Sequence, residues 1–303
     1  MKTTHCARLA AFLFVITLGA GCRKSPAYSG ISSDQVAVTS VPEQMNFQCA
    51  DPAYYGDSII YVQPSGHSDY IINPSNAAVL GKGTYFSWPV GLMLDSSSGA
   101  IDLSRSEAGQ RYVIGFVQKS SHDTCLSNLI VAGVSYVDSI YSLEDNDTLA
   151  IPYFNANAST PPVCNSSDDS DYPGNNGKGK GDNKCVFDGQ GNNGKSGQAN
   201  AKNVKVRTIS GVINLKATVE DGAFGTNPVN GASITVPIYY SLNDKSLRTT
   251  QLINVQLMYF DSRSDIPAAV VNMVTSNSTA FFEDLPILFA NPRPPLIVIT
   301  RRN

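Results

Sequence analysis

At 303 residues the chain has room for about two globular units of ordinary size. Charged residues make up 16% and hydrophobic residues 42%, which excludes both a disordered polyelectrolyte and a long charged coiled coil. A net charge of −3, with no basic run beyond Arg301-Arg302, gives a phosphate-tracking nucleic-acid surface no electrostatic basis. The 24 Gly, 17 Pro and 14 Tyr point instead to a turn-rich, extracellular kind of β-protein.

Lys2 and Arg8 precede an apolar run, Leu9 to Ala20, too short to span a bilayer comfortably and followed by small residues. Residues 1–21 therefore read as a cleavable signal peptide. Leu18-Gly19-Ala20-Gly21-Cys22 resembles the lipobox of bacterial lipoproteins, and the resemblance implies that the Cys22 thiol is acylated. Losing Lys2 and Arg8 leaves the mature chain at −5. Residues 22–45, rich in Ser, Pro and Gly, read as a flexible tether. The expected location is the cell envelope, extracytoplasmic, with a membrane anchor through the N-terminal lipid.

Strand candidates follow at Ser58 to Gln63, Asp69 to Asn73, Gly91 to Leu94, Arg111 to Gln118 and Ser127 to Tyr136, short and punctuated by turns. Within them, Pro89-Val90-Gly91-Leu92-Met93-Leu94-Asp95 is followed by Ser98-Gly99-Ala100-Ile101, then Ser106, Gly109 and Tyr112-Val113-Ile114. This pattern, over roughly residues 78–135, resembles the cadherin-like, Ig-fold repeats of bacterial surface lipoproteins. The resemblance implies a β-sandwich that displays, spaces or binds and carries no catalytic residues. In it Leu92, Leu94 and Ile101 face inward, Asp95 and Gly99 shape a turn, and Tyr112 and Ile114 close the core.

Of the 38 residues from Asn165 to Lys202, 29 are Gly, Asn, Ser, Asp or Lys. The span 158–202 therefore reads as a polar linker between a sandwich at 46–157 and a second β-domain at 203–303. The expected fold is mainly β, two β-sandwich units of Ig-like or cadherin-like type joined by a Gly/Asn/Ser-rich segment. In the second half Ile213, Leu215, Ala217 and Val219 alternate with polar residues. So do Ile234 to Tyr240 and Ile253 to Tyr259, with Asn243-Asp244-Lys245 as turn chemistry between them. Leu296 to Thr300 is a terminal strand. Ile266 to Val274 admits two readings, Pro267 opening a short helix or interrupting an edge strand. No long helical periodicity is visible after residue 21.

Gly189-Gln190-Gly191-Asn192-Asn193-Gly194-Lys195-Ser196 satisfies the phosphate-loop pattern G-x-x-x-x-G-K-S. A phosphate loop needs a buried strand before it and a helix after it, and neither is legible here, so no nucleotide is expected. Cys49, Cys125, Cys164 and Cys185 lack the spacing of zinc or thioredoxin chemistry and read as disulfide partners. Three pairings are open, with Cys164 to Cys185 and Cys49 to Cys125 preferred. His67 and His122 sit in polar, loop-like sequence and supply no triad. Glu144-Asp145-Asn146-Asp147 offers calcium oxygen ligands, Asp145 and Asp147 foremost, but the other acidic elements of a cadherin calcium site are missing, so no metal cofactor is expected. Tyr54-Tyr55, Tyr85-Phe86 with Trp88, and Tyr239-Tyr240 are candidate sugar-stacking residues, although alternation turns one tyrosine of each pair inward. The expected function is a non-catalytic, lipid-anchored binding or adhesion module for glycan or surface protein. The alternatives are a passive envelope or assembly subunit pairing through its terminal strand, and a secreted hydrolase.

Overall fold

Alternating and β-branched apolar residues produce strands nearly throughout. The computed structural model describes residues 52–63, 70–80, 82–164, 185–188, 198–283 and 294–303, all within one unit, Val38–Asn303. The fold is mainly β. Its first strands are β1 (Ile59–Ile60), β2 (Ile71–Ile72), β3 (Gly83–Trp88), β4 (Ile101–Asp102), β5 (Gln110–Gln118) and β6 (Thr124–Val131), with a one-turn helix α1 (Ala77–Leu80) before β3. One sheet has the order β1-β6-β5-β3, and β2 pairs with β4 in a separate ribbon.

The Pro89 to Ile114 pattern builds a corner with the expected logic. Leu92, Ile101, Tyr112 and Ile114 are buried in one cluster with Leu129, and Leu94 packs against it. The Asp95 carboxylate accepts the Ser97 and Ser98 backbone N–H groups and the Ser98 hydroxyl. These bonds, the Ser98 N–H first, hold its carboxyl below the usual carboxylate range. Gly99, at φ +74, donates to the Asp95 carbonyl and lies so close to Tyr85 that a Cβ there would stand 2.7 Å from its ring. The Tyr112 hydroxyl donates to the Glu107 carbonyl at 2.9 Å, a tyrosine bonded a few residues upstream as at the corners of Ig-type sandwiches.

The remaining strands are β7 (Val134–Ser135), β8 (Ser139–Ser142), β9 (Leu149–Ala150), β10 (Tyr153–Phe154), β11 (Val186–Phe187), β12 (Lys205–Val206), β13 (Ile213–Asn214), β14 (Ala232–Ser241), β15 (Gln251–Ser262) and β16 (Leu296–Arg302). The largest sheet has the order β11-β14-β15-β16-β8. Its centre is the expected hairpin of β14 and β15, in register Ile238↔Ile253 and Val236↔Val255.

The sequence reading differs from this structure at several places, among them Gly91 to Leu94, expected as a strand but bridged only at Leu94 to Ile101, and Gly83–Trp88, a strand not expected. Residues 215–220 form a helix, α2 (Leu215–Glu220), where alternation predicts a strand. Asn214 caps it by accepting the Ala217 N–H, and the Thr218 hydroxyl bonds back to the Asn214 carbonyl, so local capping overrides the two-residue period. Of the two readings of Ile266 to Val274 the helix opened by Pro267 is the one formed, but it is long: α3 (Ala268–Phe282) has 15 residues, with Val270 and Val274 on its buried face. Its middle, Thr275-Ser276-Asn277-Ser278-Thr279, is poor helix sequence, which hides the 3.6 period. β8 lies inside the 46–157 span yet pairs in parallel with β16, and β9 pairs with β13, so the sheets cross the division drawn from the sequence.

The span 158–202 also enters the core. Cys164, Cys185, Phe187 and Ala199 are buried in the main cluster, and Phe187 stacks on Tyr240 with centroids 5.7 Å apart. A few apolar side chains were enough, because a disulfide between Cys164 and Cys185, Cα atoms 5.7 Å apart, brings them back to β14. The Asp188 carboxylate, fully buried, accepts the Ala199 and Asn200 N–H groups and the Asn200 amide, and burial pushes its pKa up. Finally, β16 is no open edge: it pairs with β15 on one side and β8 on the other. Its five residues Leu296 to Thr300 are all buried, so it has nothing to offer an incoming strand.

The two regions of strand meet where the chain leaves β6. The Tyr240 hydroxyl accepts the Val134 N–H at 3.1 Å and donates to the Gln251 side-chain carbonyl at 3.1 Å. Gly109, at φ +67, sits so near the Val134 carbonyl that a Cβ would fall 2.0 Å from its oxygen. A Cβ on Gly133 would fall 2.5 Å from the Tyr240 hydroxyl oxygen.

Two outcomes follow for stability. Tyr240→Phe, which leaves a buried N–H and a buried amide carbonyl without that hydroxyl, lowers the unfolding free energy by about 1–3 kcal/mol in urea titration; no change would remove the bridge from the account. Replacing Cys164 and Cys185 together by Ala, which opens a bond of sequence separation 21, costs about 3 kcal/mol by the same measurement.

Candidate functional site

Residues 103–108, leaving β4, form a pinned turn. The Ser104 N–H and hydroxyl donate to the Asp102 carboxylate, and the Ser106 hydroxyl donates to the Asp102 carbonyl while accepting the Met93 N–H. Leu103 and Ala108 are buried at its two ends, which leaves Ser104 and Arg105 exposed between them. Across a gap stand Tyr239 of β14, the first residues of β15 from Gln251 to Asn254, and Pro294 ahead of β16. The gap is a groove of about 370 Å³, at the small end of the range for ligand pockets.

Strand register shapes the wall on the β15 side. Pro237 has no N–H and is opposite Asn254, so that pair is one whose backbone groups point away from each other, and the same holds for Tyr239 and Leu252 two residues on. The Gln256 N–H on this side donates to the Pro295 carbonyl, and β16 begins only at Leu296, opposite Gln256. Leu252 and Asn254 therefore turn their backbone groups toward the groove.

Gln251 is among the lining residues, 6% exposed, with its side chain on the Tyr240 face of the hairpin. The single hydroxyl hydrogen of Tyr240 goes to its side-chain oxygen, while its amide nitrogen is buried and has no hydrogen-bond partner among the described residues. Arg105 and Glu107 bring opposite charges to the lining, and Ser104, Thr250 and Asn254 add neutral polar groups. Tyr239, half-buried, contributes an aromatic wall. Such groups orient and hold a ligand through stacking and hydrogen bonds.

The sequence candidates are dispersed. Tyr240 turns into the core and Tyr239 to the groove, as alternation requires. Tyr85 is buried and packs on Phe116 with centroids 4.7 Å apart, which takes it out of any exposed stacking platform. Tyr55 is half-buried, donates to the Gly99 carbonyl and has its pKa pushed up by burial, while Tyr54 is exposed. The Asp145 carboxylate accepts the Asn303 side-chain amide and Glu144 accepts the Asn303 N–H; burial, then the charge of Asp145, raises the pKa of Asp147. Among the described residues no three His, Cys, Asp or Glu side chains gather in a way suited to a metal.

Cys125 is disulfide-bonded to a partner outside the described residues, and Cys22, Cys49, His67 and Gly189 to Ser196 also lie outside them. The residues flanking that glycine-rich stretch are a two-residue strand, Val186–Phe187, and a three-residue 3-10 helix, Asn200–Lys202. His122 is an exposed turn residue at φ 60 whose N–H donates to the Gln118 carbonyl. Gln251 was invisible in the sequence as a site residue. Its environment depends on a hairpin register and on the approach of residues 103–108 from far along the chain.

No family model matches the chain, and no curated protein matches it. Among solved structures it is similar to Drosophila N-cadherin EC1-4, at 10% identity over 68% of this chain and with a TM-score of 0.20. The chain spans 47% of that structure's length.

Proposed function

We propose that this chain is a non-catalytic, lipid-anchored protein of the bacterial envelope that binds a glycan or a surface protein. The observation that carries the binding half of this reading is the groove between the pinned 103–108 turn and β15. It sets an aromatic wall, opposite charges and neutral polar groups around one space. Side chains held by fixed backbone need little ordering when a ligand arrives, which favours affinity. The anchoring half rests on the signal-like run before Cys22 and the lipobox-like residues around it. The assembly alternative loses its mechanism, since the strand it requires, Leu296 to Thr300, is paired on both sides.

Cys22→Ser is expected to let an alkaline carbonate wash, which strips bound but unanchored proteins, release the protein from the membrane fraction. Carbonate-resistant membrane partitioning of that variant with its signal peptide removed would exclude the anchor. The soluble protein so obtained is expected to sediment with isolated envelopes, and Asn254→Trp, which fills the groove from an exposed wall position, is expected to reduce that sedimentation about tenfold or more. Unchanged sedimentation of Asn254→Trp would place binding elsewhere.

A further inference from the structure

Independently of the groove, we infer that the outer edge of β14 pairs with the same edge of a second copy of this chain, around a two-fold axis at Thr235. The outer neighbour of β14 in its sheet is β11, which covers only the end of the strand, with Phe187 opposite Tyr240 and Val186 opposite Ser241. The Asp188 N–H closes that contact on the Tyr239 carbonyl. From Ala232 to Ile238 no strand among the described residues lies on that side. The register shows which groups face it. The Tyr239 carbonyl points toward β11 and away from β15, so the backbone groups at every second residue before it, Pro237, Thr235 and Ser233, point the same way. The far side of the hairpin agrees: Gln256, opposite Thr235, donates to the Pro295 carbonyl away from β14. Ser233 and Thr235 are exposed, and their outward N–H groups find no acceptor among the described residues.

The bounds of this open stretch select its occupant. At one end β11 stands beside Tyr240, and at the other Gly231, at φ +81, turns the chain toward β15, its N–H donating to the Tyr259 carbonyl. Thr235 is midway between Ala232 and Ile238. An antiparallel copy laid with Thr235 opposite Thr235 therefore ends, in both chains, where the obstruction begins. A copy shifted toward Ser241 meets β11, and one shifted the other way leaves half the stretch uncovered. The donors match in that register: the two Thr235 residues exchange N–H and carbonyl bonds, and each Ser233 N–H meets the Pro237 carbonyl of the other copy. Pro237 has no N–H to give, which leaves only the Ser233 carbonyl, at the margin, to water. Thr235 then lies against Thr235 on one face and Ile234 against Val236 on the other, β-branched pairs that suit neighbouring strands. No residue from Ser233 to Ile238 is charged, so the edge lacks the lysines that keep strand edges apart. An edge that pairs with itself in this way closes at two copies.

Sedimentation equilibrium of the purified Cys22→Ser protein, up to about 1 mM, is expected to show monomer and dimer and no larger species. Thr235→Pro removes only an outward N–H, as Pro237 already does, so the melting temperature is expected to hold while the dimer dissociation constant rises about tenfold or more. Under mild oxidation Thr235→Cys is expected to form a covalent dimer, because its Cα atoms stand about 5.5 Å apart across the axis. Ser233→Cys, which faces Pro237 of the other copy, is expected to stay unlinked. The cross-link decides the matter if Thr235→Pro does not fold. A monomer over the whole concentration range, a dimer indifferent to Thr235→Pro, or faster linking of Ser233→Cys than of Thr235→Cys would each overturn the pairing.

Discussion

One phenolic hydroxyl sets the geometry on which the rest depends. Tyr240 lies in the middle of the largest core cluster, where a hydroxyl is tolerated only if its hydrogen-bonding capacity is used. It is used twice, on the Val134 N–H just after the chain leaves β6 and on Gln251 at the start of β15. The approach has no slack, because Gly109 and Gly133 leave no space for a Cβ against Val134 and Tyr240. From this contact the remainder follows in order. The Tyr240 ring receives Phe187, which returns the polar excursion to the sheet, and the Gln251 side-chain oxygen is held on the same face of the hairpin. The same hydroxyl thus joins the two strand regions and fixes the start of β15.

Much of the strand content was legible, because a two-residue period is written locally. β14 and β15 follow the alternation of Ile234 to Tyr240 and Ile253 to Tyr259, and β5 follows the Arg111 to Gln118 run. The errors have a common form: a local signal of equal strength pointed elsewhere. At Leu215 the alternation was real, but Asn214 and Thr218 supplied capping bonds that a strand could not use. In α3, β-branched and short polar residues concealed an apolar stripe that exists only because Val270 and Val274 have a core to face. Asp138 helps fix that helix, its carboxylate taking the Asn277 amide on one oxygen and the Leu296 N–H on the other.

The site was legible in fragments. The pattern around Asp95 and Tyr112 announced a rigid corner, and alternation placed one tyrosine of the 239–240 pair outward. What no pattern announced was their meeting with Gln251. That depends on β14 and β15 pairing with Tyr240 opposite Gln251, and on Pro237 rotating the backbone groups of Leu252 and Asn254 away from β14. Composition misjudged 158–202 for a related reason. It averages a segment, whereas a core needs only a few apolar side chains delivered to the right place, and here a disulfide makes the delivery.

The position of β16 between β15 and β8 bears on when the protein can fold. The Leu296 N–H bonds Asp138 across 158 residues of chain, and among the described residues β8 has β16 as its one sheet neighbour. Parallel pairing over such a separation must meet the loop-closure entropy before any contact rewards it, so this sheet forms slowly and late. Until Leu296 to Arg302 emerge, β8 has no strand to join and the central hairpin lacks one flank. Every shorter length of the chain is therefore left with a half-built sheet, and commitment to the fold waits on a strand far along the sequence.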